Sequence, residues 1–288
     1  MNILLLGKNG QLGWELRRAL APLGPIAALD YEDVDLMESE HIRLKVRELR
    51  PEIIVNAAAY TAVDRAESEP AKAYAINANA PGILAEEAKT LGALLVHYST
   101  DYVFDGTKAE PYAEAEAPNP LNVYGASKLA GERAVQALGG AFLILRTAWV
   151  YSGRASSFVT KVLDWARRNE TLRIVDDQVS NPTWARALAE STAQMIGRGR
   201  GYLQERSGLY HLAGAGYASR YAWAQEILKL DPKPEEQTAK GLLRAATSDI
   251  PTPARRPLFS ALDCSRFEVA FAGIGLPSWQ EALVLAMG

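Results

Sequence analysis

Ile3-Leu-Leu-Leu-Gly7-Lys-Asn-Gly10-Gln-Leu-Gly13 stands at the head of this sequence, directly after Met1 and Asn2. Ile3–Leu6 is a short apolar run closed by glycine, the pattern of a strand buried on both faces of a parallel sheet. From Gln11 to Leu20 the spacing becomes helical: Leu12, Leu16 and Ala19/Leu20 share one face, while Glu15, Arg17 and Arg18 lie elsewhere. The connection between them is G-x-x-G-x-x-G. Gly7 permits a tight turn, Gly10 lets backbone approach a pyrophosphate, and Gly13 lets helix and strand pack closely. The helix start then offers free N–H groups and a positive dipole end to phosphates. Glycine triplets are common, so the strand–turn–helix setting carries the reading as a dinucleotide site.

The same rhythm continues outward. Ile26–Leu29, Ile53–Val55, Ala93–Val96 and Phe142–Arg146 read as further strands. Ile42–Leu49, Ala71–Leu91 and Val123–Leu138 read as the helices between them. Alternating strands and helices predict an α/β fold, a Rossmann-type doubly wound parallel sheet with right-handed crossovers. Ligands of such sheets sit at the strands' carboxyl ends. Gly7, Asp30, Asn56–Ala59, Ser99–Asp101 and Thr147–Trp149 all fall there in this reading. Beyond residue 150 glycine and proline punctuate more often. Phe158–Arg168, Thr183–Ile196 and Tyr221–Leu230 read as helices, and Leu172–Val175 and Leu209–Leu212 as short strands. We therefore expect an NAD(P)-binding domain over 1–150. Residues 151–288 should form a smaller, mixed substrate lobe, some of whose segments return to the first domain.

Composition excludes several classes. The 288 residues are 48% hydrophobic and 23% charged, with net charge −3, an ordinary globular balance. No basic block suggests a nucleic-acid polymer. No stretch approaches the ~20 apolar residues that span a bilayer. The first residues lack a basic n-region, and Cys264 is the single cysteine. A cytoplasmic enzyme is expected, working as a monomer or homodimer on a small-molecule substrate without a membrane.

Carbonyl reduction needs a proton donor, a group that tunes it and a polariser of the carbonyl. Tyr124 and Lys128, at i and i+4 on one helix, supply the first two. A nearby cation favours the phenolate and should lower the tyrosine's pKa from about 10. Ser99 or Thr100, at a strand end, supplies the third, and strand alternation favours Thr100. The rival readings are a surface tyrosine on an amphipathic helix and a strand-end cap. Asp30, 20 residues beyond Gly10, is placed to accept hydrogen bonds from adenosine ribose hydroxyls and to repel a 2′-phosphate. Lys8 pulls the other way, so NADH against NADPH stays open. Trp149 offers a flat apolar wall to a ligand, its rival reading being a core tryptophan after the fifth strand. Arg255 and Arg256 can pair with a diphosphate, or form a solvated basic pair.

The glycine loop, Thr100 and Tyr124…Lys128 resemble the extended short-chain dehydrogenase/reductase superfamily. Longer strings narrow the likeness: Asn56-Ala-Ala-Ala-Tyr-Thr-Ala-Val-Asp64-Arg-Ala-Glu67-Ser-Glu69, His97-Tyr-Ser-Thr-Asp-Tyr-Val-Phe104, Leu121-Asn-Val-Tyr-Gly125, Arg146-Thr-Ala-Trp-Val-Tyr151 and Pro251-Thr-Pro-Ala-Arg-Arg-Pro257. These resemble the dTDP-4-dehydrorhamnose reductase family, from Met1 to about Gly288 and most strongly before residue 151. The resemblance implies NADPH- or NADH-dependent reduction of the C4 ketone of a dTDP-6-deoxy-4-hexulose, giving dTDP-L-rhamnose. It makes Thr100, Tyr124 and Lys128 the catalytic trio. It places Gly10, Gln11, Leu12, Asp30, Asp35, Leu36, Ala59, Tyr60, Thr61 and Tyr98 on the cofactor, alongside Tyr124 and Lys128. Thr100, Asp101 and Trp149 fall on the sugar nucleotide. Some members bind magnesium through glutamates at a dimer contact. Glu15 matches one such position, but Arg186 stands where that pattern has glutamate, which puts the metal and that dimer mode in doubt. No other spacing suggests a metal, and His41, His97 and His211 read as structural. The rival on this fold is another nucleotide-sugar reductase, a dehydratase or an epimerase. A dehydratase resembles Thr-Asp-Glu, whereas this chain has Thr100-Asp101-Tyr102, and an epimerase would keep NAD tightly bound through its cycle. A non-catalytic regulatory subunit would show a decayed trio, and here it is intact.

Overall fold

Six parallel strands form the main sheet: β1 (Ile3–Leu6), β2 (Ile26–Leu29), β3 (Ile53–Asn56), β4 (Leu94–Thr100), β5 (Ala141–Thr147) and β6 (Gly208–His211). Their order is β2-β1-β3-β4-β5-β6, so the winding reverses between β1 and β3. The structure is a computed structural model and describes residues 1–154 and 156–288. The principal helices are α1 (Gln11–Ala19), α2 (Ser39–Leu49), α3 (Ala80–Leu91), α4 (Val123–Leu138), α5 (Phe158–Arg168), α6 (Ala185–Gly197) and α7 (Arg220–Lys229).

Successive strand residues point to opposite faces, and both faces are covered. Leu4, Leu6, Ile54, Leu95 and Ile144 pack on Ile42, Val46, Leu84 and Val135 of α2, α3 and α4. Ile3, Leu5, Val55, Val96 and Leu145 pack on Leu12 and Leu16 of α1. One helix is too narrow for that second face. The rest is covered by Leu188, Met195 and Ile196 of α6 and by Phe267, Phe271 and Ile274 near the carboxyl terminus. Each large apolar side chain left in water there would forfeit roughly 1.5–3 kcal/mol. The sheet's core is thus built from both halves of the sequence, and β6 extends the sheet beside β5. A separate cluster of Tyr151, Val162, Leu172, Trp223 and Leu283 forms the core of the smaller layer.

Two expected elements take a different form. The segment expected as a helix from Thr183 begins its helix at Ala185, because Thr183–Trp184 pairs in parallel with Val150–Tyr151. The helix expected unbroken over 71–91 contains one wide turn, Ala75–Asn79, between Pro70–Tyr74 and α3. Pro81 has no N–H to donate to Asn77, so the regular ladder cannot run through this point. The wide turn has structural consequences. The Asn77 side chain accepts from the Tyr60 N–H (2.8 Å) and donates to the Tyr60 carbonyl (3.1 Å) and Ser127 Oγ (3.0 Å). The loop after β3 is thereby tied to α4. Gly131 of α4 lies so close to this turn that a Cβ there would stand 2.1 Å from the Asn77 carbonyl oxygen.

Gly131→Ala should therefore destabilise the protein by about 1–3 kcal/mol through overpacking against backbone. Gly201→Ala, with nothing within 4 Å of the added carbon, should be near neutral. Urea midpoints of the two variants check this, and equal midpoints would refute the close contact.

Candidate active site

The carboxyl ends of the strands open on a cavity of about 420 Å³, and a second cavity of about 140 Å³ adjoins it. Gly7, Asp30, Ala58 and Ala59 line both. Gly7 adopts φ +86°, and a Cβ there would lie 2.8 Å from the Ala58 amide nitrogen. A Cβ on Gly13 would lie 1.8 Å from the Gly7 carbonyl oxygen, so α1 can meet β1 only through a bare backbone. Gly10 differs: its nearest protein atom would be 3.4 Å away, and it faces the cavity. Its bareness leaves room for a ligand rather than for the protein. No side chain caps α1, so its first N–H groups remain available to an anion.

Asp30, at the end of β2, is held in place by its loop. Its carboxylate accepts the Asn9 and Tyr31 N–H groups, both at 2.8 Å. Lys8 does not reach toward the cavity. Its ammonium sits 2.6 Å from Asp33 Oδ2, and this bond holds Asp33 below the usual carboxylate range. Asp35 and Leu36 line the smaller cavity, with Val34 and Ile76. Gln11, Leu12, Ala59, Thr61 and Tyr98 line the larger one. Tyr60 lines neither: it is buried, clamped by Asn77, and donates to Glu69 Oε2 at 2.6 Å. Gln11 and Thr147 line the larger cavity, and Gln11 Oε1 and Thr147 Oγ1 are buried without a partner among the described residues. Unmet acceptors, free helix N–H groups and a glycine cradle together fit a dinucleotide.

Thr100, Tyr124 and Lys128 meet at one end of the larger cavity. Thr100 closes β4, and its Oγ1 accepts the Tyr102 N–H (3.2 Å). α4 is seated there by three contacts. Asn122 Oδ1 caps it by accepting the Gly125 N–H (2.8 Å), and Glu67 Oε1 accepts the Val123 N–H (2.8 Å). Gly125 meets the Tyr102 carbonyl oxygen, which would stand 2.2 Å from a Cβ. Burial raises the pKa of the half-buried Tyr124 phenol above the ordinary value, with the neighbouring Thr100 hydroxyl opposing. The expected lowering by Lys128 is thus corrected. The lysine Nζ donates to the Tyr98 carbonyl oxygen at 2.6 Å and lies 3.4 Å from His97 Nε2. Burial brings Lys128 down to about 8, with Glu132 on the next turn opposing.

Asp101 is buried beside Thr100. Burial raises its pKa, while the Ser260, Ser180 and Thr100 hydroxyls that donate to it oppose the rise. Trp149 lines the cavity from a left-handed backbone conformation, φ +41°, uncommon for a bulky residue. Its ring stacks on Trp223, with centroids 5.6 Å apart. Arg220, which the sequence reading missed, lies 3.6 Å from the centroid of the Trp149 ring. Arg256 does not line the cavities. It forms a bidentate pair with Asp64, both distances 2.8 Å, while Arg255 is exposed and its carbonyl accepts from Asn122 Nδ2. A helix-starting arginine packed against distant rings leaves no short-range sequence signal.

Away from the cavity, Arg186 and Arg18 each stand 3.4 Å from Glu15 Oε2. Two guanidinium groups on one carboxylate do not fit a magnesium ion there. No group of three or more His, Cys, Asp or Glu suited to a metal occurs among the described residues.

The fold and this site define an oxidoreductase of the short-chain dehydrogenase/reductase class. A family model described as "RmlD substrate binding domain" matches residues 1–287. A dTDP-4-dehydrorhamnose reductase of Burkholderia thailandensis is 43% identical, covering 100% of this chain and 98% of the relative. One from Escherichia coli strain K12 is 46% identical over 97% and 95%. The crystal structure of the Bacillus anthracis dTDP-4-dehydrorhamnose reductase in complex with NADP has TM-score 0.89 and 33% identity, covering 99% of this chain and 97% of that one. The chain belongs to the dTDP-4-dehydrorhamnose reductase family.

Beneath the site, Arg146 and Glu132 form a fully buried bidentate pair at 2.6 and 2.9 Å. Glu132→Gln should strand the guanidinium and cost about 3–5 kcal/mol in chemical denaturation; a loss under about 1 kcal/mol would mean that water replaces the carboxylate. His211, beside Arg146, is pushed down to about 3, chiefly by burial. Its folded pKa lies below the unfolded value of about 6.5. The unfolded chain takes the proton first, so this contribution is complete above about pH 6.5 and is lost as pH falls toward 3. Denaturation midpoints at pH 7 and 4.5 should show the fall, with a shallower slope in His211→Gln.

Proposed function

We propose that this protein reduces the C4 ketone of dTDP-4-dehydrorhamnose (dTDP-6-deoxy-L-lyxo-4-hexulose) to dTDP-L-rhamnose, using NADPH or NADH. The observation that carries the reading is the meeting of Thr100, Tyr124 and Lys128 at the end of a cavity that begins at the glycine loop. The bound reduced dinucleotide supplies the hydride that goes to the carbonyl carbon. Gly7, Gly10, Gln11 and Leu12 bind its pyrophosphate, and Gly13 lets α1 approach. Asp30 accepts from the adenosine ribose, with Asp35 and Leu36 bounding the adenine side. Ala59, Thr61 and Tyr98 flank the route toward the nicotinamide.

Tyr124 gives its phenolic proton to the C4 oxygen as the carbon is reduced, a general-acid contribution of roughly 10²- to 10⁴-fold. A proton held firmly at Tyr124 Oη arrives at the alkoxide without ionising first. Thr100 Oγ1, whose hydrogen goes to Asp101 Oδ1 in this structure, turns it to the same oxygen and orients the ketone. Lys128 holds the nicotinamide ribose and supplies positive charge to the phenolate left behind. Asp101 and Trp149 hold the sugar, the ring offering an apolar face to the deoxy carbon. Arg255, exposed at the protein surface, is the cation left to reach the diphosphate, whereas Arg256 is engaged by Asp64. In this reading the main sheet holds cofactor and the layer centred on Trp223 holds substrate. No helix among the described residues is long and apolar enough to cross a membrane.

Nicotinamide absorbance should fall when the hexulose is supplied with either coenzyme, and a flat trace with both would refute the reading. Tyr124→Phe should lose at least 10²-fold in kcat while binding cofactor normally; retained turnover would remove Tyr124 as the acid. Asp30→Ala should raise the NADPH-to-NADH ratio of kcat/KM, and an unchanged ratio would count against its ribose contact.

A further inference from the structure

His97 takes no part in the chemistry above, yet it is wholly buried between β3 and α4. Its ring is held at both nitrogens. Asn56 Oδ1 accepts the Ala58 N–H at 3.2 Å. A backbone N–H only donates, so the amide oxygen must face it and Asn56 Nδ2 must face the ring. Nδ2 lies 3.1 Å from His97 Nδ1, which is therefore the accepting nitrogen. A neutral imidazole then carries its hydrogen on Nε2. That hydrogen faces Lys128 Nζ at 3.4 Å, longer than the 2.6 Å bond from the same Nζ to the Tyr98 carbonyl oxygen. An ammonium has only hydrogens to offer, whereas an amine has a lone pair.

We propose that His97 is a positioning residue: locked by Asn56 as the Nε2–H tautomer, it aims a donor at Lys128 Nζ, disfavours the ammonium, and so sets the pH above which this lysine stops serving Tyr124. The proposal rests on the roles given above to Tyr124 and Lys128. The other groups around the lysine are few. On its own helix stand Glu132, which favours the ammonium but is itself paired with Arg146 of β5, and Tyr124. Tyr98 on β4 offers only its carbonyl, its hydroxyl being bonded to Thr192 Oγ1. On β5, opposite His97, the register brings apolar Ile144. Burial and the charge of Lys128 keep His97 well below its ordinary pKa, so it stays neutral as the argument requires.

The direct test needs no substrate. In protein labelled with ¹⁵N-histidine, the wild-type His97 ring should show a protonated Nε2 and an unprotonated Nδ1, and a protonated Nδ1 would overturn the proposal. Asn56→Asp should reverse the tautomer, since a carboxylate accepts from Nδ1–H. Nε2 would then present a lone pair to the ammonium. In Asn56→Asp and in His97→Leu, the ¹⁵Nζ titration of Lys128 and the alkaline limb of kcat/KM should both move upward, by roughly one pH unit. A purely structural role would lower stability and rate at every pH and leave the limb fixed. A limb unmoved in folded variants sinks the proposal and leaves the reductase assignment standing. A wild-type enzyme inactive on the hexulose sinks that assignment but leaves the tautomer and the lysine titration to be read.

Discussion

Everything at the site depends on how closely α4 can lie against the chain beneath it. Two bare backbone contacts set that distance: Gly125 on the Tyr102 carbonyl and Gly131 on the Asn77 carbonyl. Tyr124 and Lys128 lie beside and between these contacts. A methyl group at Gly125 would push the helix start away from the segment that follows Thr100 of β4, and one at Gly131 would push the helix away from the wide turn. Protein interiors are close-packed and accommodate such shifts poorly. The relation of phenol, ammonium and hydroxyl is therefore set by backbone packing.

The wide turn before α3 belongs to the same arrangement. Pro81 removes one rung of the helical ladder, and the turn that results brings both the carbonyl and the side chain of Asn77 to α4. The carbonyl faces Gly131, and the side chain clamps Tyr60 and Ser127. Tyr60 is thereby held away from the cavity, although Ala59 and Thr61 on either side line it. A local break in one helix thus positions the next, and positions the loop that flanks the cofactor cavity.

Under the cavity lies a layer of buried polar groups. Glu132 is satisfied by Arg146 and Ser99, and His97 by Asn56. Such groups are costly to bury unless each finds a partner. Here the partners come from β3, β4, β5 and α4, so the layer also fixes the register of those elements. Lys128 meets this layer through His97 and also lines the cavity. Its proton affinity is accordingly set from below as well as from the ligand side.

Much of this was legible in the sequence because the signals are local. A glycine loop between an apolar run and a helical period needs only a dozen residues to declare itself. Asp30 follows at the end of the next strand, and Tyr124 and Lys128 share a helix face by spacing alone. A doubly wound parallel sheet with its ligand site at the strands' carboxyl ends follows from that pattern. Other features were settled only by tertiary structure. Tyr60 and Thr61 are neighbours in sequence, yet one is clamped by Asn77 and the other lines the cavity. Arg256 was a candidate for a diphosphate until the fold brought Asp64, 192 residues away, against it. Arg220 gained the face of Trp149, and His97 gained Lys128, only through the packing of separate elements. The pKa of Tyr124 turned on burial and not on the cation one turn away. Spacing along a chain reports which groups share a face; how far each is withdrawn from water, and what meets it there, is decided by the whole fold.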